Sequence, residues 1–173
     1  MIETDRLIIR KFVPSDWKDL YDYLSLKEIY IFEPGQPITK EEAKKMAANR
    51  SCGNDFFAVT LKKINKMVGH LYFSHIQPLE FMTWELGFIF NPSYQSKGYC
   101  SEASKSLIEH AFIHWNVHRI TAYCNPNNFA SWKVLEKIGM KREGFFEKQG
   151  FFRRDENNRP IWHDCYAYGK LRG

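Results

Sequence analysis

Cysteine is sparse. The four present, Cys52, Cys100, Cys124 and Cys165, contain no CxxC pair, which excludes a zinc ribbon or a dithiol redox motif. Free thiols in a reducing compartment are the expectation. Long hydrophobic runs are missing as well. No stretch approaches the ~20 apolar residues of a membrane helix. The opening segment, Met1 to Arg6, is charged and lacks the apolar centre of a secretory signal. A cytoplasmic protein with no membrane partner is therefore expected. No block of basic residues interleaves with aromatics and the net charge is a modest +5, so nucleic acid is not an expected partner. The GxxxxGK[ST] and GxGxxG patterns are both absent, which removes P-loop and dinucleotide-binding readings. No internal repeat, linker or low-complexity segment interrupts the chain, and residues 1–173 are expected to form one domain.

What is present supports a packed core: 44% of residues are apolar and 16% aromatic. The most informative stretch runs from Trp84 to Trp115. It opens with a strand-like run, Trp84 to Phe90, and breaks at Asn91-Pro92. A polar loop follows, Gln95-Ser-Lys-Gly-Tyr-Cys100. It closes on a helical pattern with apolar Ala103, Leu107, Ile108, Ala111, Phe112 and Trp115. Strand, loop and helix in this order place several backbone N–H groups at a helix N-terminus, a ready place for an anion. Gly98 lets the backbone approach a ligand closely, and Lys97 adds a positive charge. From these residues alone, a plain strand-to-helix turn remains open.

Elsewhere, Arg6 to Phe12 reads as a first strand. A helix starts at Pro14-Ser-Asp16, and Thr39-Lys-Glu-Glu42 has the capping-box spacing for a second helix over about 40–49. Phe56 to Lys62 and Met67 to Ile76 read as a hairpin. His118 to Cys124 reads as a short strand, and Asn125 to Asn128 as a turn that caps a helix ending at Gly139. Lys141 to Gly150 and Ile161 to Leu171 read as two antiparallel strands around a polar loop, Arg153–Arg159. Mixed elements with adjacent hairpins predict an α+β sheet rather than a doubly wound one.

Gln95 to Cys100 resembles the Q/R-x-x-G-x-G/A signature of the GNAT N-acetyltransferase superfamily. Thr4-Asp-Arg-Leu-Ile-Ile-Arg10, Glu85-Leu-Gly-Phe88, Pro92, Glu102-Ala103, Asn128-Phe-Ala-Ser131 and Val134 to Met140 are similar to the branch that acetylates N-termini of ribosomal proteins. The resemblance spans nearly the whole chain. It implies a mixed, mostly antiparallel central sheet, splayed near its middle and flanked by helices. It also implies acetyl-CoA as cosubstrate, no metal, and an amine acceptor that is a protein N-terminus or a small molecule. Phe88, Ile89 and Phe90 would pair with the pantetheine arm as a strand edge does. Gln95, Ser96, Lys97, Gly98, Tyr99, Cys100 and Ser101 would hold the pyrophosphate. Asn128 would hydrogen-bond the pantetheine, with Ser131 beside the thioester.

Two positions depart from the superfamily. Cys100 stands where a small residue is usual. Leu135 stands where many members carry a tyrosine acid, a role that Ser131 would take over by resemblance to the ribosomal-protein branch. An α-amine (pKa near ~8) or a lysine (near ~10.4) must lose a proton before attack. Glu85, acting through water, is the candidate base, against the alternative of a strand-edge carboxylate paired with Lys or Arg. A related enzyme that moves a different acyl group or acts on a drug, polyamine or amino acid, and a non-catalytic CoA-binding module, are the rival functions. His110, His114 and His118 lack the further ligands of a metal site. Phe145, Phe146, Phe151 and Phe152 would line an acceptor pocket, a homodimer interface or the core. Acceptor choice is expected from the early helices, the loop Glu33–Pro37 and the tail strands.

Overall fold

A computed structural model describes residues 1–173. The chain begins with β1 (Ile2–Glu3) and β2 (Leu7–Lys11), then a 3-10 turn (Pro14–Asp16) leading into α1 (Trp17–Leu24). A second 3-10 segment (Lys27–Ile31) precedes α2 (Lys40–Cys52). Three strands follow: β3 (Phe56–Leu61), β4 (Lys66–His75) and β5 (Thr83–Phe90). Next come α3 (Tyr99–His114), β6 (Arg119–Cys124) and α4 (Phe129–Lys137). The long hairpin of β7 (Lys141–Arg154) and β8 (Pro160–Leu171) ends the chain. The strands form one eight-stranded sheet in the order β1-β2-β3-β4-β5-β6-β8-β7. Every pairing is antiparallel except β5 with β6.

Each helix begins where local chemistry directs. Thr39 caps α2: its hydroxyl accepts the N–H of Glu42, while the Glu42 carboxylate accepts the Thr39 N–H at 2.7 Å. Asn128 caps α4 by accepting the Ser131 N–H. Asp16 is buried and is held by Arg10 through two hydrogen bonds of 2.7 and 2.8 Å, which fixes the turn into α1.

The sheet buries both faces. On one face α3 and α4 cover Leu71, Phe73, Leu86, Phe90, Ile120 and Ala122 with Leu107, Ile108, Ala111 and Leu135. On the other, Leu20, Tyr23 and Leu24 of α1 and Ala47 of α2 pack on Phe12, Ala58 and Met67. His70 lies in this second core and meets the Tyr23 hydroxyl at 2.6 Å; burial holds its imidazole well below the usual range and hence neutral.

Three expectations change. The tail strand β7 extends to Arg154, so part of the proposed loop is strand. α2 runs on to Cys52. Core packing for the hairpin aromatics is overturned: Phe145, Phe146, Phe151 and Phe152 are all exposed, Phe145 by 54%. The β7–β8 hairpin reaches beyond the helices, so nothing covers its outer half.

The contact between β4 and β5 is close at Gly69. A Cβ there would sit 2.6 Å from the Phe90 ring and 2.8 Å from the Ile89 carbonyl oxygen. Gly69→Ala is expected to lower stability by about 1–3 kcal/mol, through overpacking against backbone that has no room to shift. Urea denaturation checks this. Gly87→Ala, whose Cβ would meet only the Tyr72 side chain at 3.4 Å, should be milder.

Candidate functional site

The parallel pairing of β5 with β6 is short. It runs from Thr83↔Arg119 to Glu85↔Thr121 and then stops. β6 continues alongside β8, and β5 continues alongside β4, so the two strands part. Beyond Glu85, one edge of β5 is left without a strand partner. An unpaired edge offers backbone donors and acceptors to an extended ligand.

The second component is the start of α3. Gly98 precedes the helix with φ +80°, a left-handed conformation that side-chain-bearing residues rarely adopt. No side chain caps this helix. The N–H groups of Tyr99, Cys100 and Ser101 find no acceptor in the protein, and the first helical bond runs from Glu102 N–H to the Gly98 carbonyl. Bare N–H groups at the positive end of a 16-residue helix form an anion cradle. The N-terminal segment braces it. Glu102 accepts from the Thr4 hydroxyl and from Arg6, and Arg6 also donates to the Lys97 carbonyl at 3.0 Å and lies over the Tyr99 ring. That carboxylate is thereby held below its ordinary range despite partial burial.

Strand edge and cradle open into one cavity of about 520 Å³. Phe88, Ile89, Phe90, Gln95, Ser96, Gly98, Tyr99, Cys100, Ser101, Asn128 and Ser131 all line it. Lys97 lies outside. It lines an adjoining basin with Arg6, Lys105 and Lys137, and its ammonium donates to the Ser93 carbonyl. Asn128 uses its side-chain oxygen to cap α4, which leaves its NH2 for a ligand. The Ser131 hydroxyl lies against the Cys124 thiol, which burial pushes up to about 11. Cys100 packs on the main core beside Ser104, and burial keeps its thiol protonated. Leu135 is a core residue, 1% exposed, and does not reach the cavity.

Glu85 stands at the last paired position before the strands part, outside the lining of the cavity. It has no basic partner, and burial raises its carboxyl above the usual range. On α3, the rings of His110 and His114 are 4.4 Å apart, and no group of three metal-ligating side chains forms around them. No helix is long and apolar enough to cross a membrane.

One wall of the cavity carries residues that no motif marked. Glu28 and Ile29 of the 3-10 segment after α1, with Phe32 and Glu33 just beyond it, line the same cavity as the cradle, as do Lys133 and Lys137 of α4. The sequence marks the loop at Glu33 only as a source of acceptor choice; its carboxylate carries no sequence signal. Burial alone pushes the Glu33 carboxyl up to about 7.

A family model for the acetyltransferase (GNAT) domain matches residues 6–141. An uncharacterized N-acetyltransferase of Bacillus subtilis (strain 168), YnaD, is 40% identical over 148 residues, covering 85% of this chain and 86% of that protein. A GNAT-family acetyltransferase structure from Bacillus anthracis superposes with a TM-score of 0.89 at 37% identity, covering 99% of this chain and 98% of that one. The [ribosomal protein uS5]-alanine N-acetyltransferase of Escherichia coli (strain K12) is 25% identical over 155 residues, covering 83% and 79% of the two chains.

The Glu33 carboxyl gives a stability test. Its folded pKa lies above the unfolded value, so the folded state binds the proton more tightly. Stability contributed by the protonated form is complete at low pH and is lost as pH rises through about 7. Glu33→Gln removes that loss. The variant is expected to match the wild type at pH ~4, below the unfolded pKa, and to be more stable by about 1–2 kcal/mol at pH ~8, in thermal melts at both values.

Proposed function

Because the chain belongs to the GNAT acetyltransferase family, whose members are acetyl-CoA-dependent N-acetyltransferases, we propose that it moves acetyl directly to a primary amine, a protein N-terminal α-amine or a small-molecule amine, at the parting of β5 and β6. The observation that carries this reading is the convergence, in one cavity, of an unpaired strand edge and a helix start whose N–H groups lack partners. Those features fit the two chemically different halves of coenzyme A. The β5 backbone at Phe88–Phe90 and the Asn128 NH2 suit the amide-bearing pantetheine. Gln95, Ser96 and the amides of Gly98 to Ser101 suit the diphosphate. Lys97, Lys105 and Lys137 in the adjoining basin add positive charge for the phosphate-bearing nucleotide end.

Acetyl-CoA supplies the activated thioester. The chain's own residues orient the acceptor nitrogen, take its proton and stabilise charge. Glu85, at the point where the strands part, is the base, working through a water. Burial raises its carboxyl, which brings it closer to the pKa of the amine it must serve. A backbone N–H near Ile89 faces the carbonyl oxygen as negative charge grows there. The Ser131 hydroxyl donates to the departing sulfur, taking the place of the tyrosine that Leu135 removes. The amine gives its first proton through the water to Glu85 and on to solvent; a C–N bond then forms, the C–S bond breaks, and the second proton lost by nitrogen restores the one that Ser131 passes to the thiolate. Holding both reactants in one cleft supplies much of the rate.

Saturating acetyl-CoA is expected to raise the melting temperature, with a stabilisation of about 2.7 kcal/mol at a hundredfold excess over Kd. Gly98→Ala should forfeit about 1–2 kcal/mol to left-handed strain. Its KM for acetyl-CoA should rise roughly tenfold as the cradle deforms. Glu85→Gln should bind acetyl-CoA normally and lose about 10²-fold or more in kcat. An unchanged kcat and pH profile in that variant would remove Glu85 from the mechanism.

A further inference from the structure

We propose that Glu33 binds the acceptor, holding a positive charge that the acceptor carries beyond the nitrogen to be acetylated, so that the preferred substrates are amines with a second cationic group. This rests on the acetyl-transfer reading above.

Glu33 lines the cavity together with the cradle and the α4 wall. It is half-buried, forms no salt bridge, and has no hydrogen bond to the protein; burial is the sole influence on its carboxyl. A carboxylate withdrawn from water without a partner is destabilising. Such an arrangement is maintained where a ligand supplies the partner. Nor is Glu33 a drifting loop residue. Ile29 and Tyr30 anchor the segment in the second core, the Tyr30 hydroxyl donates to the Leu24 carbonyl at 2.8 Å, and the Ile38 N–H closes on the same carbonyl at 3.0 Å.

The other titratable groups around the cavity leave the vacancy to the ligand. Glu28, from the same segment, adds a like charge. Tyr94, Tyr99 and Cys100 present hydroxyl and thiol groups rather than cations. Lys133 and Lys137 are the basic groups in the lining, and neither forms an ion pair with Glu33; Lys137 also lines the adjoining basic basin. The carboxylates enter the cavity from the stretch after α1 and the basic groups from α4, so the two signs come from different elements, which suits a cationic acceptor on the first and an anionic cosubstrate on the second. Glu33 also does not duplicate Glu85. The cavity meets β5 at Phe88, Ile89 and Phe90, while Glu85 lies about 10 Å earlier along the strand. Two carboxylates so placed serve different groups of the acceptor.

The test measures thiol release from acetyl-CoA by the wild type, Glu33→Gln and Glu33→Asp. Butylamine is compared with putrescine, and the tripeptide amide Ala-Ala-Ala with Ala-Lys-Ala. The wild type should prefer the dication in at least one pair by roughly tenfold in kcat/KM, expressed in KM. The Gln variant should lose that preference and keep kcat and the KM for acetyl-CoA within about twofold, and the Asp variant should retain part of it. A wild type without preference overturns the proposal, as does a preference that survives in the Gln variant. So does a fall in kcat at constant KM, which would place Glu33 at the reacting nitrogen. A Gln variant less stable than the wild type at both pH ~4 and pH ~8 would assign Glu33 to the scaffold instead and also overturns it. If none of the four acceptors is acetylated while acetyl-CoA still raises the melting temperature, the acceptor inference fails and the acetyltransferase reading stands. If acetyl-CoA produces no shift, both fail.

Discussion

Everything in this molecule that can do chemistry depends on β5 and β6 letting go of each other. Their parallel register lasts from Thr83↔Arg119 to Glu85↔Thr121. Had it continued, the backbone of Phe88 to Phe90 would be satisfied within the sheet and no ligand could pair with it. The sheet survives the break because each strand keeps its other neighbour. β5 stays paired to β4 along seven positions, Gly69↔Phe90 through His75↔Trp84, and β6 stays paired to β8. Helices α3 and α4 cover the face beside the gap, so the opening is a lined cleft rather than a frayed edge.

The cradle shows how rigidity is distributed. Its ligand-facing N–H groups are left bare, while the elements behind them are tied down. Thr4 and Arg6, nearly a hundred residues away in sequence, close on Glu102 one turn into α3. Glu102 answers the helix dipole from the side, where it does not block the N–H groups. Preorganised donors of this kind need no rearrangement when an anion arrives. Glu33 is the opposite case. Its carboxylate is positioned by a well-anchored segment and then left without a partner, at a cost in stability above neutrality. Such a sacrifice fits a residue retained for binding rather than folding.

Charge in the site is sorted by element. Basic side chains come from α4 and from the adjoining basin, where Arg6 pairs with Glu102, and carboxylates come from the stretch after α1. The net charge of +5 says nothing of this arrangement, because a sum over the chain carries no positions.

Periodicity and punctuation determined much by themselves. The helical spacing of Ala103, Leu107, Ile108 and Ala111, the capping box Thr39–Glu42, the break at Asn91-Pro92 and Gly98 before a helix are local features, and each took its expected form. The motif from Gln95 to Cys100 marked the cradle for the same reason: consecutive residues that act together leave a continuous trace. Only the tertiary structure decided that Lys97 turns to the neighbouring basin, that Leu135 is core, that the hairpin aromatics stand in solvent and that Glu33 faces the cavity unpaired. Burial and partnership are sums over residues distant in the chain. A lone glutamate in a polar loop reads the same whether it meets water or a ligand, until the fold brings the other walls around it.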